Sequence, residues 1–256
     1  MNQLMIENPN PRNWRALQQG VCRILSEIGL TAEIGKVIDT ARGAVEIDVL
    51  AVDMKSVDKI KYIIECKNWK NAIPQTVVHA FTTIMHECGA NIGFIISKKG
   101  LQKGALQYTK YTSIVGLSYA DFQKRYLHAW FEKCFVTKIG DYVDPLSQYV
   151  EIFNSRRDNE IDRLPKKKQK EYFLLLKKYQ DFGMTMSFFE FPRYSKHFGM
   201  TVPQTIDEIK IKIEESLDNT ILLKAVYLRD LMDELIILVK TVTEEFNTIF
   251  GKNIFV

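Results

Sequence analysis

Two strand-like segments separated by a short polar stretch most constrain how this chain folds. They span residues 45–51 and 60–67, and each places a few charged residues among Val, Ile and other apolar residues. A polar stretch of this kind typically joins antiparallel neighbours. Side chains alternate between the two faces of a strand, so Asp48 of the first segment is expected to lie opposite Glu65 of the second. Two carboxylates therefore meet in an otherwise apolar sheet.

A pair of carboxylates in such a place predicts a metal ion. The negative charges repel each other and lose hydration unless a cation neutralises them. Mg²⁺ takes oxygen ligands and keeps several waters, so Asp48, Glu65 and the backbone carbonyl of Cys66 suffice, and Mn²⁺ is expected to substitute. Lys67, on the same strand face as Glu65, then brings an ammonium group to a reacting phosphate. The predicted chemistry is phosphodiester hydrolysis.

The Glu-x-Lys pattern by itself has a simpler interpretation. Glu65 and Lys67 also match a solvated salt pair on the face of a strand, which needs no ligand. The surroundings favour a site, because the pair ends a continuous apolar run and precedes Asn68, Trp69 and a helix predicted to start at Pro74.

Four motifs in the first half of the chain resemble one protein family. They are Glu46-Ile47-Asp48-Val49-Leu50-Ala51, Glu65-Cys66-Lys67-Asn68-Trp69, Gly89-Ala90-Asn91-Ile92-Gly93-Phe94-Ile95-Ile96-Ser97 and Gly104-Ala105. Together, over residues 13–122, they resemble the Mrr-type catalytic domain of PD-(D/E)XK restriction endonucleases. The resemblance implies that the protein cleaves DNA, that Asp48 and Glu65 hold Mg²⁺, and that Lys67 assists the attacking water.

One position departs from the pattern of that family. Many members carry a glutamate on the first helix that reaches the metal, and the matching position here is Gln18, a neutral and poorer ligand for magnesium. Glu46, one pleat from Asp48, is the candidate to supply the missing charge as a further metal ligand. The alternative is a site that holds its ion less tightly.

Further polar side chains are candidates for contacts with the substrate. Gln75, just inside the helix predicted after the second segment, either reaches the scissile phosphate or the water of the metal, or caps its helix. Lys98 and Lys99, in a loop after a predicted strand, are candidate phosphate contacts, and two solvated lysines fit equally well. His79 has no Cys or His partner at ligand spacing, so it is expected to be a packed residue.

Helices alternate with apolar strands through the first half, which predicts an α/β fold with a mixed sheet flanked by helices, as in restriction endonucleases. Beyond the segments named above, strands are expected at 92–97 and 113–117 and helices at 101–110 and from Tyr119. A first amphipathic helix is expected at 11–30, with a buried stripe of Trp14, Leu17, Val21, Ile24, Leu25 and Ile28.

The length of 256 residues predicts a second folding unit. We expect a nuclease domain at 1–135 and an α-helical accessory domain, for substrate recognition, dimerisation or regulation, at 136–256. The second part includes an aromatic stretch at 188–191. Helices are predicted at 205–217 and 221–250, the latter with a stripe of Leu228, Leu231, Leu235, Leu238, Val242, Phe246 and Ile249.

Basic residues are densest around Lys166, Lys167 and Lys168. This run is a candidate footprint for nucleic acid. Acidic residues interleave with it, and a mixed-charge helix surface needs no ligand, so both interpretations stay open. The net charge of +4 fits a protein that touches phosphates through only part of its surface.

The four cysteines and four histidines are scattered and indicate neither a zinc site nor a disulfide framework. The amino terminus lacks the basic and apolar regions of a signal peptide, and no apolar stretch approaches the ~18 residues of a membrane span. We expect a cytoplasmic protein with reduced cysteines, no membrane contact and no small-molecule cofactor.

These observations predict a metal-dependent endonuclease that hydrolyses DNA phosphodiester bonds, and the resemblance implies restriction or defence against foreign DNA. Two alternatives stay open. One is a nucleic-acid-binding protein of this fold whose site no longer cuts, which Gln18 favours; the other is a structure-selective or RNA-directed nuclease. Two matched cuts across a duplex favour a twofold dimer, so we expect a homodimer with DNA as its partner.

Overall fold

The computed structural model describes residues 4–41, 43–189 and 202–255, so part of the aromatic stretch at 188–191 lies outside the described residues. Backbone contacts divide the chain into two units. One unit consists of residues 8–133, and the other of residues 4–7 together with 134–255. The functions expected for the two parts of the chain stay predictions.

Five strands form one sheet in the first unit. They are Thr31–Thr40 (β1), Gly43–Val52 (β2), Lys61–Lys67 (β3), Ile92–Ser97 (β4) and Ile114–Leu117 (β5), in the spatial order β1-β2-β3-β4-β5. The first three strands are antiparallel neighbours, and β3, β4 and β5 run parallel. The mixed sheet of the predicted α/β fold is thus confirmed. Strand β1 was not expected from the sequence, because most of it is exposed and its residues form no apolar run.

Helices cover both faces of this sheet. They are Trp14–Glu27 (α1), Gln75–Glu87 (α2), Lys103–Thr109 (α3) and Tyr119–Trp130 (α4). On β4, the ring of Phe94 lies 6.0 Å from that of Phe122 in α4, whereas the next residue, Ile95, packs in a cluster with Val78 and Phe81 of α2. Successive strand residues point to opposite faces, so α2 and α4 lie on opposite sides of the sheet.

Two predicted details at helix starts are wrong. Trp14 does not belong to the buried stripe of α1 but is 48% exposed. Its helix begins directly after Asn13, whose side chain accepts a hydrogen bond from the amide of Ala16 (2.8 Å), so Trp14 occupies the open first turn. Pro74 is the extended residue before α2, and Gln75 is the first helical residue.

The second unit is helical, which confirms the predicted character of this region. A π-helical turn, Phe131–Val136, leads into Thr137–Val150 (α5), Ser155–Asp162 (α6), Lys166–Ser187 (α7), Ile206–Glu215 (α8) and Leu228–Phe250 (α9). The last helix begins later than predicted, and Val239 rather than Leu238 is fully buried because the stripe follows the 3.6-residue period. None of the helices in the described part of the chain combines the length and apolar composition that a bilayer-spanning helix requires.

A short amino-terminal segment packs with this helical unit. Ile6 is fully buried there. The carbonyls of Met5 and Ile6 accept hydrogen bonds from the amides of Leu228 (3.1 Å) and Arg229 (2.8 Å), at the start of α9. The Arg229 Nε atom also donates to the carboxylate of Glu7 at 2.8 Å. Because the first amides of a helix lack partners within it, the segment caps α9.

Candidate active site

The register of β2 and β3 brings Asp48 to the charged end of β3. Val49 pairs with Ile64, and the next position along this antiparallel ladder places Asp48 beside Glu65. The Oδ2 atom of Asp48 accepts a hydrogen bond from the backbone amide of Cys66 at 2.7 Å. The aspartate is therefore held against β3 by the backbone, at the position expected from the alternation of side chains.

Gln18 holds the other oxygen of the same carboxylate. Its side chain is buried in α1, and its Nε2 atom donates to the Oδ1 atom of Asp48 at 2.7 Å. Each carboxylate oxygen of Asp48 thus accepts one N–H group. A carboxylate has about four lone-pair sites, so both oxygens keep capacity for a further partner.

Glu65 and Lys67 form an ion pair on the same face of β3, and both side chains are largely buried. Burial raises the pKa of Glu65 above its ordinary value; the hydrogen bond from Lys67 opposes this rise, and the negative charge of Asp48 adds to it. The negative charge of Asp48 therefore disfavours the charged form of Glu65. A cation between them would relieve both the repulsion and the loss of hydration.

The candidate site has fewer acidic side chains to hold a metal ion than a site with a third carboxylate would have. Within the residues that the structure describes, no group of three or more His, Cys, Asp or Glu side chains is arranged to hold a metal ion. Glu46 is exposed, and its Oε1 atom lies 3.2 Å from where a Cβ atom of Gly35 in β1 would stand. Burial raises the pKa of the Cys66 thiol well above its ordinary value, so this thiol stays protonated and only the carbonyl of Cys66 is a suitable donor.

Asp48 and Lys67 line an open cleft of about 430 Å³. The other lining residues are Arg12, Asn13, Trp14, Cys66, Asn68 and Trp69. From the sequence, Trp14 was expected in the core, and neither Arg12 nor Trp69 was expected to line the site. The sequence contains one weak indication of their place at the surface. Trp14 and Trp69 each follow an asparagine and precede a basic residue, and polar residues of these types are mostly exposed.

Gln75 makes contacts away from the acidic pair. It is exposed on α2, and its Nε2 atom lies 3.2 Å from the Nε2 atom of His79, one turn further along the helix. Its Oε1 atom is 3.0 Å from where a Cβ atom of Gly104 in α3 would stand. The ring of His79 packs at 4.5 Å from that of Tyr108, so the pair belongs to the contact between α2 and α3.

The candidate lysines fall in two places. Lys98 and Lys99 are exposed in the loop that follows β4, and the preceding residue, Ser97, is the register partner of Lys67. These two lysines therefore leave the sheet next to the charged end of β3. Residues 166–168 form the first turn of α7 in the other unit. Their contact with DNA stays a proposal.

A mixed sheet with an acidic pair and a lysine on neighbouring strands is the arrangement expected of a nuclease domain, and a comparison with known families points to the same class. Residues 12–125 match the family model Mrr_cat, described as restriction endonuclease. This part of the chain is therefore similar to the catalytic domain of Mrr restriction endonucleases, which confirms the resemblance. The family is one of nucleases and implies DNA as substrate.

The remaining comparisons add little. No curated protein matches the chain. Among solved structures, it is similar to a protein of unknown function, AF1548, with 16% sequence identity and a TM-score of 0.39. The alignment covers 80% of this chain and 96% of the other.

Proposed function

We propose that the protein is a metal-dependent endonuclease that hydrolyses DNA phosphodiester bonds. The observation that carries the proposal is the position of Asp48, held by two N–H donors, next to the Glu65–Lys67 pair, with Asp48 and Lys67 lining one open cleft. This arrangement lies in a domain whose family consists of restriction endonucleases. A role in restriction, or in defence against foreign DNA, follows from the family.

The residues at the cleft fit a hard divalent cation. Asp48, Glu65 and the carbonyl of Cys66 would hold Mg²⁺ or Mn²⁺, with waters and a substrate phosphate completing the coordination. If the side-chain amide of Gln18 rotated by 180°, its carbonyl oxygen would become a further ligand of the cation. When bound, the ion would polarise the phosphate and activate a water. Exposed Glu46 would supply charge at longer range.

Lys67 stabilises the charge that builds on the reacting phosphate. In the structure, the Lys67 ammonium pairs with Glu65. If Glu65 held a cation, its oxygens would be shared between that cation and Lys67, and Lys67 would be available to donate hydrogen bonds to a phosphate oxygen. The roles of Glu65 and Lys67 are therefore coupled, so loss of either should abolish cleavage and leave most DNA binding intact, because binding rests on other phosphate contacts.

The surrounding residues would bind the substrate. Lys98 and Lys99 would extend the phosphate contacts beside the site, and residues 166–168 would add a second basic surface. Gln75 would contact the substrate only after its side chain had broken its contact with His79. A twofold homodimer would carry two such sites, with the helical region recognising substrate or joining the subunits.

Cleavage assays test the proposal directly. Plasmid, linear, single-stranded and methylated DNA, and RNA, are incubated with Mg²⁺ or Mn²⁺ and either wild type or Asp48→Ala. We expect metal-dependent cutting of DNA that Asp48→Ala abolishes. Glu33→Gln, which removes an exposed carboxylate paired with Lys36, serves as the matched control and should cut normally. Cutting that survives Asp48→Ala would refute the proposed site.

A non-cutting DNA-binding protein is the second candidate. The observation that favours it is that Gln18, a neutral side chain, turns its N–H group toward Asp48 where an acidic ligand would serve a metal. A thermal-melting experiment separates the two candidates. A metal-dependent rise in melting temperature that vanishes in Asp48→Ala supports the enzyme, whereas no rise with retained DNA binding supports the second candidate.

A further inference from the structure

The three tryptophans of the chain lie in two different environments, one buried and two exposed. Trp130 is fully buried, and its indole N–H donates to the carboxylate of Glu27 at 2.5 Å. Trp14 and Trp69 remain 48% and 44% exposed, although large aromatic side chains stabilise a fold most when buried. Both exposed indoles line the cleft that contains Asp48. Their exposure is therefore concentrated at the candidate active site.

Local structure holds both indoles at this cleft. Asn13 caps α1 and so fixes Trp14 in its first turn. Trp69 follows β3 directly, two residues after Lys67, whose Nζ atom lies 5.6 Å from the centre of the Trp69 ring. The guanidinium of Arg15 lies 5.4 Å from the centre of the Trp14 ring. Each indole thus has a cation nearby.

The same cleft carries positive charge that suits a nucleic-acid backbone. Arg12 and Lys67 both line it. Exposed aromatic rings combined with basic side chains are the means by which proteins bind single strands, because every base offers a face for stacking and every nucleotide carries a phosphate. Within a duplex, both faces of an internal base are covered by its neighbours. Only an unpaired or extruded base can stack on an indole.

We propose that Trp14 and Trp69 stack on unpaired bases next to the scissile phosphate, and that the cleft prefers single-stranded or locally unpaired DNA over a continuous duplex. This inference rests on the proposed nuclease function and names the substrate class of that site. Arg12 contacts the backbone of the same strand. Stacking supplies affinity without sequence readout, so the cleft selects unpaired structure and not a base sequence.

Binding without cleavage tests this inference. A fluorescently labelled oligonucleotide, as single strand and as blunt duplex of the same sequence, is titrated in EDTA with wild type and with Trp14→Leu, Trp69→Leu, Trp14→Phe and Trp69→Phe. Tyr111→Leu is the matched control, because Tyr111 is an aromatic residue 89% exposed that does not line the cleft. Anisotropy gives Kd for both forms, and thermal melting verifies folding.

We expect each leucine variant to weaken single-strand binding about 5- to 150-fold while duplex binding changes little. The phenylalanine variants should retain most of the affinity, and Tyr111→Leu should match wild type. Equal Kd values for single strand and duplex in wild type, or an unchanged ratio in the folded leucine variants, would overturn the proposal. Tighter binding of single-stranded RNA than of DNA would overturn its assignment to DNA.

The result is separable from the nuclease proposal. Stacking is read from Kd in EDTA, where no metal is bound, so the inference about the tryptophans does not depend on observing cutting. If the single-strand preference depends on Trp14 and Trp69 and no substrate is cut with Mg²⁺ or Mn²⁺, the nuclease function fails and the stacking surface stands. If DNA is cut through Asp48 but both tryptophans are dispensable for binding, only the stacking proposal fails.

Discussion

At the scale of single residues, the Gln18–Asp48 contact governs what the site can bind. Gln18 satisfies one oxygen of Asp48 without adding charge, and the amide of Cys66 satisfies the other. The aspartate is thereby oriented before any ligand arrives, which is a form of preorganisation. As a result, the candidate site offers fewer anionic ligands than it would with a glutamate at position 18.

Replacing Gln18 by glutamate should therefore tighten metal binding. The added carboxylate supplies a charged oxygen ligand, and we expect Mg²⁺ or Mn²⁺ affinity to rise about tenfold, measured by calorimetry. Without metal, the new charge repels Asp48, so the melting temperature should fall and recover when metal is added. Gln19→Glu makes the same charge change at an exposed neighbouring position and should leave affinity unchanged. Equal effects of both variants would contradict this role for Gln18.

The raised pKa of Glu65 predicts how metal binding depends on pH. Its pKa in the folded protein lies above the ordinary value of 4.5, so the proton is bound more tightly in the fold than in the unfolded chain. The contribution of Glu65 to stability is therefore greatest below pH 4.5 and is lost as the pH rises through the raised value. Metal competes with this proton, so affinity should increase across the same window.

Calorimetric titrations at several pH values would test this dependence. Glu65→Gln cannot ionise and should bind metal weakly, with no rise in affinity across that window. A wild-type affinity that is constant from pH 4.5 upward would show that Glu65 does not ligate the ion.

Some of these residues can be predicted from the sequence by local geometry, and others cannot, because their positions depend on how the helices pack. Asp48, Glu65 and Lys67 follow from the period of two within strands, which depends only on local geometry. Gln18 was expected near the metal only through the resemblance to the family, because its hydrogen bond to Asp48 links residues 30 positions apart and depends on how α1 packs against the sheet. The arrival of Trp14 at the same cleft also depends on that packing, and the helical period alone assigned this residue to the core.

At the scale of elements, a glycine controls how closely α2 approaches β4. A Cβ atom at Gly93 would stand 2.7 Å from a ring carbon of Phe81 and closer still to the sulfur of Met85. Both side chains belong to the core cluster between α2 and the sheet. The absence of a side chain on β4 is thus what allows α2 to pack there.

Gly93→Ala should destabilise the first unit by about 1–3 kcal/mol through overpacking. Urea unfolding of the full chain, followed by a probe in the first unit, measures the change. Gly104→Ala is the control, because its Cβ atom would meet only the flexible end of Gln75, and alanine is favoured over glycine within a helix by about 1 kcal/mol. A folded Gly93→Ala variant as stable as wild type would contradict the packing argument.

The elements that the sequence predicts best are those with strong local signals. The strand predicted at 92–97 is found as Ile92–Ser97, a continuous apolar run bounded by polar residues. The helix predicted from residue 221 begins instead at Leu228, because the preceding residues form an irregular stretch whose apolar side chains have the same spacing as those of a helix. Leu222 and Val226 within that stretch are exposed, and periodicity cannot reveal this.

At the scale of the whole molecule, the helical unit is assembled from two distant parts of the sequence. Met5 and Ile6 accept hydrogen bonds from Leu228 and Arg229, across more than two hundred intervening residues. Loop closure over such a length carries an entropic cost that rises only slowly with length, so a few buried contacts can offset it. Leu4, Met5 and Ile6 of this segment are all buried, and Ile6 is the least exposed of the three.

Ile6→Ala should therefore weaken the start of α9. Removing a buried isoleucine typically costs about 2–5 kcal/mol, and the loss should appear as faster hydrogen exchange at the amides of Leu228 and Arg229. Val226→Ala removes an exposed apolar side chain near the same helix end and should leave exchange unchanged. Unaltered exchange in Ile6→Ala would show that the cap does not depend on this side chain.

The discontinuity of the helical unit also sets an order of events during synthesis. Residues 5 and 6 leave the ribosome more than two hundred residues before their partners at 228 and 229. The unit of residues 8–133 is continuous in sequence and can fold as soon as it has emerged, since domains generally fold as units during translation. This first unit can thus be complete before residues 5 and 6 find their partners, and a chain stopped before residue 228 would carry a folded first unit and a helical unit that lacks α9.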